Sequence, residues 1–312
     1  MRIGFSVPQF GPFADPHSTA RMCTALEALG CHGLWVADRL LAPLTPAEGY
    51  AGGKEMPVRY GTHLDPLLAL GVAAAATERV RLGSSTLNAL WQPPVVLARA
   101  LTTLDLISRG RLEVGIGLGW MREEYAAAGV PWRGRGARLE ETLDVLDAVW
   151  RCDPVVHTGP LWTIPESTVL PKPFQSPRPP ILLGGFTPPA LERVGRRADG
   201  WLGASMPLPY LGGLWAVAVA AAERAGRDPA ALRRVFRVNA DVTPAEADPS
   251  ETHHRGTVRQ ICDHLRAMCG EDTDEVLVDL QLTTDSPEQF LDLAAAFMAE
   301  LAEPPAHRPP QR

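Results

Sequence analysis

Six places in the 312-residue sequence put residues that could do chemistry at or near the end of a short apolar run. They are residues 6–9, 38–39, 84–88, 115–120 and 184–187, and Trp201. An aspartate such as Asp38 can exchange protons, an arginine such as Arg39 can hold an anion, and a glycine-rich turn before a helix can bind phosphate through its N–H groups. If the apolar runs are parallel strands of one barrel, their carboxyl ends meet at one mouth. The chemistry is then predicted at that mouth.

Two of these segments are rich in glycine. Residues 115–119 read Gly-x-Gly-x-Gly. The dinucleotide-binding fingerprint is Gly-x-Gly-x-x-Gly, so the third glycine here is one residue too early to match it. Residues 184–187, Gly-Gly-Phe-Thr, lead into a predicted helix whose N–H groups and positive dipole end could hold a phosphate. Tight turns between strands and helices also use glycine for structural reasons. The residues alone therefore leave both interpretations open for each segment.

Other catalytic and metal-binding patterns are missing from the sequence. His63-Leu64-Asp65 and His253-His254 have no further ligands at metal spacing, so no metal site is predicted and these histidines are interpreted as surface or capping residues. The sequence has neither a Gly-x-Ser-x-Gly nucleophile elbow nor the phosphate-binding loop of NTPases. Five scattered cysteines without a Cys-x-x-Cys pair indicate free thiols rather than disulfides or zinc ligands.

The apolar pattern predicts eight units, each a strand followed by a helix. The strands are predicted at residues 3–7, 33–37, 80–84, 112–116, 180–183, 200–203, 235–239 and 276–280. Nearly continuous apolar strands are typical of parallel sheets buried on both faces, either a closed barrel or an open doubly wound sheet. Eight units over the whole chain, with no linker between two halves, favour one (β/α)8 barrel, an α/β fold, over residues 1–301.

Three segments fall outside this repeating pattern. Residues 39–63 form a long loop after the second strand, and residues 153–179 form a predicted hairpin insertion. Both are expected near the active-site mouth. The tail at residues 302–312 contains four prolines and is predicted to be disordered.

The composition narrows the range of partners. Lysine and arginine number 30 against 36 acidic residues, a formal charge of −6, and no basic patch indicates nucleic-acid binding or a membrane surface. The apolar runs are shorter than the roughly 20 residues that span a bilayer. The first residues lack a secretory pattern. A small-molecule substrate and a cytoplasmic location are therefore predicted.

Several motifs between residues 81 and 141 resemble one family in combination. The motifs are Arg-Leu-Gly-Ser-Ser at 81–85, Pro-x2-Leu-Ala at 94–98, Thr-Leu-Asp-x2-Ser-x-Gly-Arg-Leu at 103–112, Gly-x-Gly-x-Gly-Trp-x3-Glu at 115–124 and Arg-x2-Arg-Leu-x-Glu at 135–141. Together they resemble the bacterial luciferase-like monooxygenase superfamily, and within it the oxidoreductases that use the deazaflavin coenzyme F420. The resemblance extends from residue 1 to about residue 300.

This resemblance implies a (β/α)8 barrel with a flavin or deazaflavin ring across its mouth, and a cis peptide bond between Ser85 and Thr86. Carried over residue by residue, it implies that the ring and its side chain are lined by Asp38, Ser85, Thr86, Asn88, Gly117 and Gly119. It implies that the phosphate is held by Gly184, Gly185 and Thr187. It also implies a homodimer, which is the usual state in this family.

The chain departs from the F420-dependent pattern at two positions. Many members have Asp-His after the second strand, whereas this chain has Asp38-Arg39, and arginine cannot act as a general base at neutral pH. Arg39 could hold an anionic substrate or stabilise negative charge on a reduced ring, or it could be a surface residue of the long loop. Trp120 stands where the sugar-phosphate dehydrogenase branch has a glutamate. With Trp91 and Trp201, it indicates an apolar, aromatic pocket.

The resulting prediction is an oxidoreductase that transfers a hydride between bound coenzyme F420 and a small, partly apolar organic substrate. Its candidate catalytic residues are Asp38, Arg39 and Trp120. Two alternatives stay open: an FMN-dependent monooxygenase of the same fold, and a flavin- or deazaflavin-binding protein without turnover.

Overall fold

Eight parallel strands form a closed barrel in the computed structural model, which describes residues 1–50, 55–269 and 275–302. The strands are β1 (Arg2–Ser6), β2 (Gly33–Val36), β3 (Arg81–Ser84), β4 (Leu112–Gly117), β5 (Ile181–Gly184), β6 (Gly200–Ala204), β7 (Arg233–Asn239) and β8 (Glu275–Asp279). They pair in the order β3-β2-β1-β8-β7-β6-β5-β4, and a pairing of β3 with β4 closes the cylinder. The predicted (β/α)8 barrel is confirmed, since an open sheet would leave two edge strands.

Nine helices within the described residues surround the barrel. They are α1 (Pro16–Ala28), α2 (Pro66–Ala76), α3 (Pro94–Ile107), α4 (Arg122–Ala127), α5 (Arg135–Arg151), α6 (Pro188–Arg197), α7 (Leu208–Arg224), α8 (Val258–Cys269) and α9 (Pro287–Ala302). Asp15 caps α1 and Asp65 caps α2, each followed directly by a proline. None of the described helices is both long and apolar enough to cross a membrane. The predicted tail beyond Ala302 lies outside the described residues.

Residues 153–179 contain an antiparallel hairpin of two short strands, Val155–Thr158 and Thr163–Ser167. The hairpin packs on α5, where Glu141 accepts hydrogen bonds from two backbone N–H groups of its turn. Farther along, the side chain of Gln175 donates to the carbonyl oxygen of the first residue of β4, at 2.8 Å. These contacts lie along α5 and at the amino-terminal end of the barrel. The insertion lines neither of the two cavities at the mouth, which differs from its expected position.

The barrel interior is a packed core and not a channel. Its apolar layer consists of Trp35, Leu182, Leu202, Val235 and Leu277. Below this layer, a carboxylate oxygen of Glu113 lies 2.8 Å from the guanidinium of Arg81 and 2.9 Å from that of Arg233. The indole N–H of Trp35 donates to Glu275 at 2.9 Å. Because side chains close the cylinder from below, a ligand can reach the barrel only from the carboxyl ends of its strands.

Glu275 is expected to make the stability of the barrel depend on pH. Its side chain is fully buried, and burial raises the pKa of its carboxyl from 4.5 to about 7. Because unfolding restores the ordinary pKa, the folded state loses stability as the pH rises from about 4.5 through 7. Glu275→Gln removes this loss, so its unfolding free energy relative to wild type should rise by about 2 kcal/mol between pH 5 and pH 8. Urea unfolding at both pH values measures the change, and an unchanged difference would contradict it.

Candidate active site

Two adjoining cavities open at the mouth of the barrel. The inner cavity has a volume of about 240 Å³ and the outer cavity a volume of about 900 Å³. Tyr50, Arg237 and Asn239 line both cavities and form the boundary between them. The Tyr50 hydroxyl lies 3.1 Å from the Tyr60 hydroxyl and accepts a hydrogen bond from Asn239 at 3.2 Å. The outer cavity alone has the volume of an ordinary ligand or cofactor site.

The inner cavity collects most of the residues that the sequence analysis selected. Seven of them line it: Asp38, Arg39, Ser85, Thr86, Asn88, Gly119 and Trp120. They follow β2, β3 and β4, so the carboxyl ends of neighbouring strands bring together segments that are far apart in sequence. The remaining four line neither cavity: Gly117, Gly184, Gly185 and Thr187.

Asp38 contributes a titratable carboxyl to the inner cavity. One oxygen of its carboxyl accepts a hydrogen bond from the backbone N–H of Asn88 at 2.9 Å. Burial raises the pKa of this carboxyl to about 7, and the carboxylate of Glu124 acts in the same direction. Because this pKa is close to neutral pH, the Asp38 carboxyl can donate or accept a proton under ordinary conditions.

Arg39 points into the site, which contradicts the alternative of a surface residue. Its side chain is 8% exposed, and its guanidinium lies 5.3 Å from the ring centroids of both Tyr60 and Trp120. One guanidinium nitrogen, Nη1, lies 3.4 Å from a carboxylate oxygen of Glu124. The aromatic rings hold the guanidinium plane in position. Arg39 therefore presents a fixed positive charge to the inner cavity.

Two glycines act by making room for Thr86. The peptide bond between Ser85 and Thr86 is cis, as the family resemblance implies. A Cβ atom on Gly117 would come within 2.3 Å of Oγ1 of Thr86, and one on Gly184 within 3.0 Å of its Cγ2. Both positions thus support a lining residue without lining the cavity themselves.

The predicted phosphate-binding turn follows β5. Gly184 ends that strand and Thr187 precedes α6, but the first two residues of α6 are Pro188 and Pro189, which have no N–H group. The N–H groups of Phe186 and Thr187 make no hydrogen bond within the described part of the chain, and Phe186 lines the outer cavity. An anion here would be held by amides of the turn, since the first turn of α6 lacks the donors that the sequence analysis expected.

The aromatic lining differs from the predicted set of tryptophans. Trp91 and Trp120 line the inner cavity. Trp201 is fully buried and packs against Trp215 and Phe236, so it belongs to the core. Its indole N–H donates to the carbonyl oxygen of Gly185 at 3.0 Å and thereby supports the turn after β5.

Arg237 and Asn239 are site residues that the sequence analysis missed. Arg237 donates to the carbonyl oxygen of Ser85 and to the side-chain oxygen of Asn239, both at 2.8 Å, and forms an ion pair with Asp279. A signal was present, because two polar residues at alternate positions of a buried strand point to the same face. That face of β7 points into the barrel, and Arg237 and Asn239 lie on it toward the carboxyl end of the strand, at the mouth.

His253 and His254, interpreted from the sequence as surface or capping residues, are half-buried in the structure. Both line the outer cavity, and Nδ1 of His254 lies 3.0 Å from Nε2 of His253. Two short parallel strands, Asp241–Val242 and Arg255–Gly256, bring their loop to the end of β7. Among the residues that the structure describes, no three His, Cys, Asp or Glu side chains meet as a group that could hold a metal ion.

Adding a methyl group at Gly117 is expected to disturb the site without unfolding the protein. In Gly117→Ala, the new Cβ would displace the Thr86 side chain, since the two atoms would be 2.3 Å apart. We expect a loss of about 1–3 kcal/mol in unfolding free energy and about 10-fold weaker binding of a ligand in the inner cavity. Thermal unfolding and a binding titration measure the two effects. The control is Gly212→Ala on α7, where a Cβ meets no atom within 4 Å. Equal behaviour of the two variants would contradict the role of Gly117.

The sequence model of the luciferase-like monooxygenase family matches residues 1–302, and the chain belongs to that family. It is therefore an enzyme of the luciferase-like class of oxidoreductases and monooxygenases. Among its relatives, the phthiodiolone/phenolphthiodiolone dimycocerosates ketoreductase of Mycobacterium tuberculosis is 33% identical over 243 residues. The aligned region covers 74% of this chain and 63% of the ketoreductase.

Solved structures with the same fold include a monooxygenase and an F420-dependent dehydrogenase. The monooxygenase RslO1 from Streptomyces bottropensis superimposes with a TM-score of 0.79 at 21% identity, covering 96% of this chain and 98% of RslO1. An F420-dependent secondary alcohol dehydrogenase superimposes with a TM-score of 0.77 at 16% identity, covering 97% and 99% of the two chains. At these identities the likeness concerns the fold, and the cofactor must be argued from the residues of the site.

Proposed function

We propose that the protein is an oxidoreductase that transfers a hydride between bound coenzyme F420 and a small, partly apolar organic substrate. The observation that carries this proposal is the position of Asp38 in the inner cavity, with a carboxyl whose pKa is raised to about 7. Hydride transfer to a carbonyl carbon needs a proton for the oxygen, and oxidation of an alcohol releases one. Asp38 can exchange that proton, whereas Arg39 cannot.

The residues at the two cavities fit a deazaflavin. The outer cavity of about 900 Å³ adjoins the inner one, and the N–H groups of Phe186 and Thr187 beside it make no hydrogen bond within the described residues. When bound, F420 would supply or accept the hydride. We assign its ring contacts to Asp38, Ser85, Thr86, Asn88 and Gly119, with Gly117 acting through Thr86. We assign its phosphate to Gly184, Gly185 and Thr187.

The alternative is an FMN-dependent monooxygenase, which the fold shared with the monooxygenase RslO1 keeps open. Titrating the purified protein with each cofactor separates the two functions. We expect F420 to quench the tryptophan fluorescence with a Kd at least about 10-fold below that of FMN. Tighter binding of FMN than of F420 would overturn the proposal and support the monooxygenase.

We also propose, from the family resemblance, that the protein is a homodimer in the cytoplasm. Analytical ultracentrifugation tests the dimer, with an expected mass of two 33.7 kDa chains. A mass of one chain at micromolar concentration would contradict it. Fractionation of the source cells tests the location.

A further inference from the structure

Glu124 is a buried carboxylate of the inner cavity to which the proposed hydride transfer gives no role. It is the third residue of α4, and its side chain is 4% exposed. Its Oε1 atom accepts a hydrogen bond from the backbone N–H of Leu40 at 2.9 Å and lies 3.4 Å from Nη1 of Arg39. Both partners belong to the segment that directly follows Asp38. One carboxylate therefore ties α4 to the residues next to the proposed proton-transfer group.

Arg39 depends on Glu124 for its countercharge. The rings of Tyr60 and Trp120, each with its centroid 5.3 Å from the guanidinium, hold its position but carry no charge. Among the residues that the structure describes, Glu124 is the one carboxylate within 4.0 Å of that guanidinium. Burial raises the pKa of the Glu124 carboxyl, whereas the guanidinium of Arg39 and the imidazole of His63 oppose this rise. These two groups thus favour the charged form of Glu124.

The charges around Asp38 decide how readily its carboxyl exchanges a proton. Burial raises the pKa of this carboxyl to about 7, and the carboxylates of Glu124 and Asp65 act in the same direction. The backbone N–H of Asn88 and the guanidinium of Arg39 act in the opposite direction. Without Glu124, the guanidinium would hold Asp38 in its carboxylate form. That form accepts a proton but has none to donate.

The other titratable groups at the inner cavity do not offset the charge of Arg39. The guanidinium of Arg237 is positive as well and forms its own ion pair with Asp279. The hydroxyl of Tyr60 lies 3.1 Å from that of Tyr50, and burial raises the pKa of Tyr60. This hydroxyl is therefore neutral. The balance of charge beside Asp38 thus depends on the contact between α4 and the end of β2.

From these contacts we propose that Glu124 is a positioning residue for proton transfer at Asp38. Its carboxylate holds the guanidinium of Arg39 against the aromatic rings and offsets the positive charge next to Asp38. It acts through these two residues and exchanges no proton with the substrate. The assignment rests on the proposed function, because it concerns the control of the group that transfers the proton there.

Titration of Asp38 in the purified protein without cofactor tests the charge effect. Carbon NMR of protein labelled with 13C at its aspartate carboxyls follows the titration, and the Asp38 signal is the one missing from Asp38→Asn. Glu124→Gln removes the charge but keeps an oxygen that can accept from the N–H of Leu40. We expect the midpoint of the Asp38 titration to fall by about 0.5–1 pH unit. An unchanged or higher midpoint would overturn the proposal.

Glu123→Gln is the matched control. Glu123 precedes Glu124 on α4 and also accepts a hydrogen bond from the segment after β2, from the backbone N–H of Ala47 at 2.7 Å, but it lines neither cavity. Its loss should leave the midpoint of Asp38 within about 0.2 pH units of wild type, because solvent screens an exposed charge. An equal fall in both variants would reflect the charge of α4 as a whole and would overturn the specific role of Glu124.

Arg39→Gln should shift the titration the other way. Because it removes a positive charge beside Asp38, the midpoint should rise. The double variant Arg39→Gln/Glu124→Gln lacks both charges, so its midpoint should lie between those of the two single variants. Arg39→Gln also decides the question if Glu124→Gln does not fold. A midpoint in Arg39→Gln at or below that of wild type would contradict the proposed balance of charge.

The assignment and the proposed function can fail separately. The NMR titration needs no cofactor, so the expected shift in Glu124→Gln without any binding of F420 would support the assignment and reject the proposed cofactor. Binding of F420 with an unchanged Asp38 titration would reject the assignment alone. In the F420-loaded enzyme, the inflection of kcat/KM near pH 7 should move to lower pH in Glu124→Gln by the same amount. Loss of a merely structural contact would not move that inflection.

Discussion

Replacing Asp38 with asparagine is expected to lower kcat/KM of the F420-loaded protein by about 100- to 1000-fold. Asparagine keeps the shape of the side chain and an oxygen that can accept from the backbone N–H of Asn88, which lies 2.9 Å from the carboxyl in the wild type. It cannot exchange a proton. The fold should therefore survive while the proton transfer is lost. Turnover of the cofactor, followed by its absorbance, measures the effect.

The pH profile of the wild-type enzyme should show an inflection caused by titration of the Asp38 carboxyl. The pKa of Asp38 is raised to about 7 by burial. If the substrate is reduced, the protonated form is the active one, so the rate falls as the pH rises through 7. If the substrate is oxidised, the carboxylate is active and the rate falls as the pH drops below 7. In Asp38→Asn the residual rate should lack this inflection in either direction.

Stability provides a second readout for Asp38. Because its pKa is higher in the folded state than in the unfolded state, wild type loses stability as the pH rises through 7. The melting temperature of Asp38→Asn minus that of wild type should therefore be larger at pH 8 than at pH 5. Asp292→Asn, an exposed position on α9, serves as the control for both readouts. Wild-type turnover in Asp38→Asn would reject Asp38 as the proton-transfer group.

The barrel could be predicted from the sequence because its signals are local. Each predicted strand lies within two residues of an observed one, since β-branched and apolar runs flanked by glycine identify buried strands without knowledge of their neighbours. The rule that the carboxyl ends of barrel strands converge then selects Asp38 and Asn88 as neighbours. Their 2.9 Å hydrogen bond joins residues that are 50 positions apart.

The missing parts of the site depend on contacts that a sequence pattern does not contain. Arg39 points inward because the rings of Tyr60 and Trp120 hold its guanidinium, and neither ring is a local neighbour. Arg237 reaches Ser85 across 152 positions in the sequence. Pro188 and Pro189, at the start of α6, have no N–H groups. The sequence alone therefore allows a phosphate only at the amides of the turn before α6, and not at the first turn of the helix.

The boundary between the two cavities depends on Arg237, and Arg237→Met is expected to lower the unfolding free energy by about 3–5 kcal/mol. The loss leaves the Asp279 carboxylate, whose side chain is 2% exposed, without its countercharge. The Ser85 carbonyl oxygen loses its donor as well. Arg237→Lys should recover only part of the loss, because a single ammonium cannot match the planar fork that reaches Ser85, Asn239 and Asp279.

A double-mutant cycle separates the buried charge from the other contacts of Arg237. Asp279→Asn keeps an oxygen that can accept the 2.8 Å hydrogen bond from the Ser6 hydroxyl and removes the negative charge. The double variant should therefore lose less unfolding free energy than the two single variants lose in sum. We expect a difference of about 1–3 kcal/mol, as measured by urea unfolding. The double variant still lacks the hydrogen bonds of Arg237 to Ser85 and Asn239, so its cofactor affinity should stay below that of wild type even where stability recovers. Additive losses would contradict a stabilising ion pair between Arg237 and Asp279. Wild-type cofactor affinity in the double variant would contradict the role of Arg237 at the boundary between the two cavities.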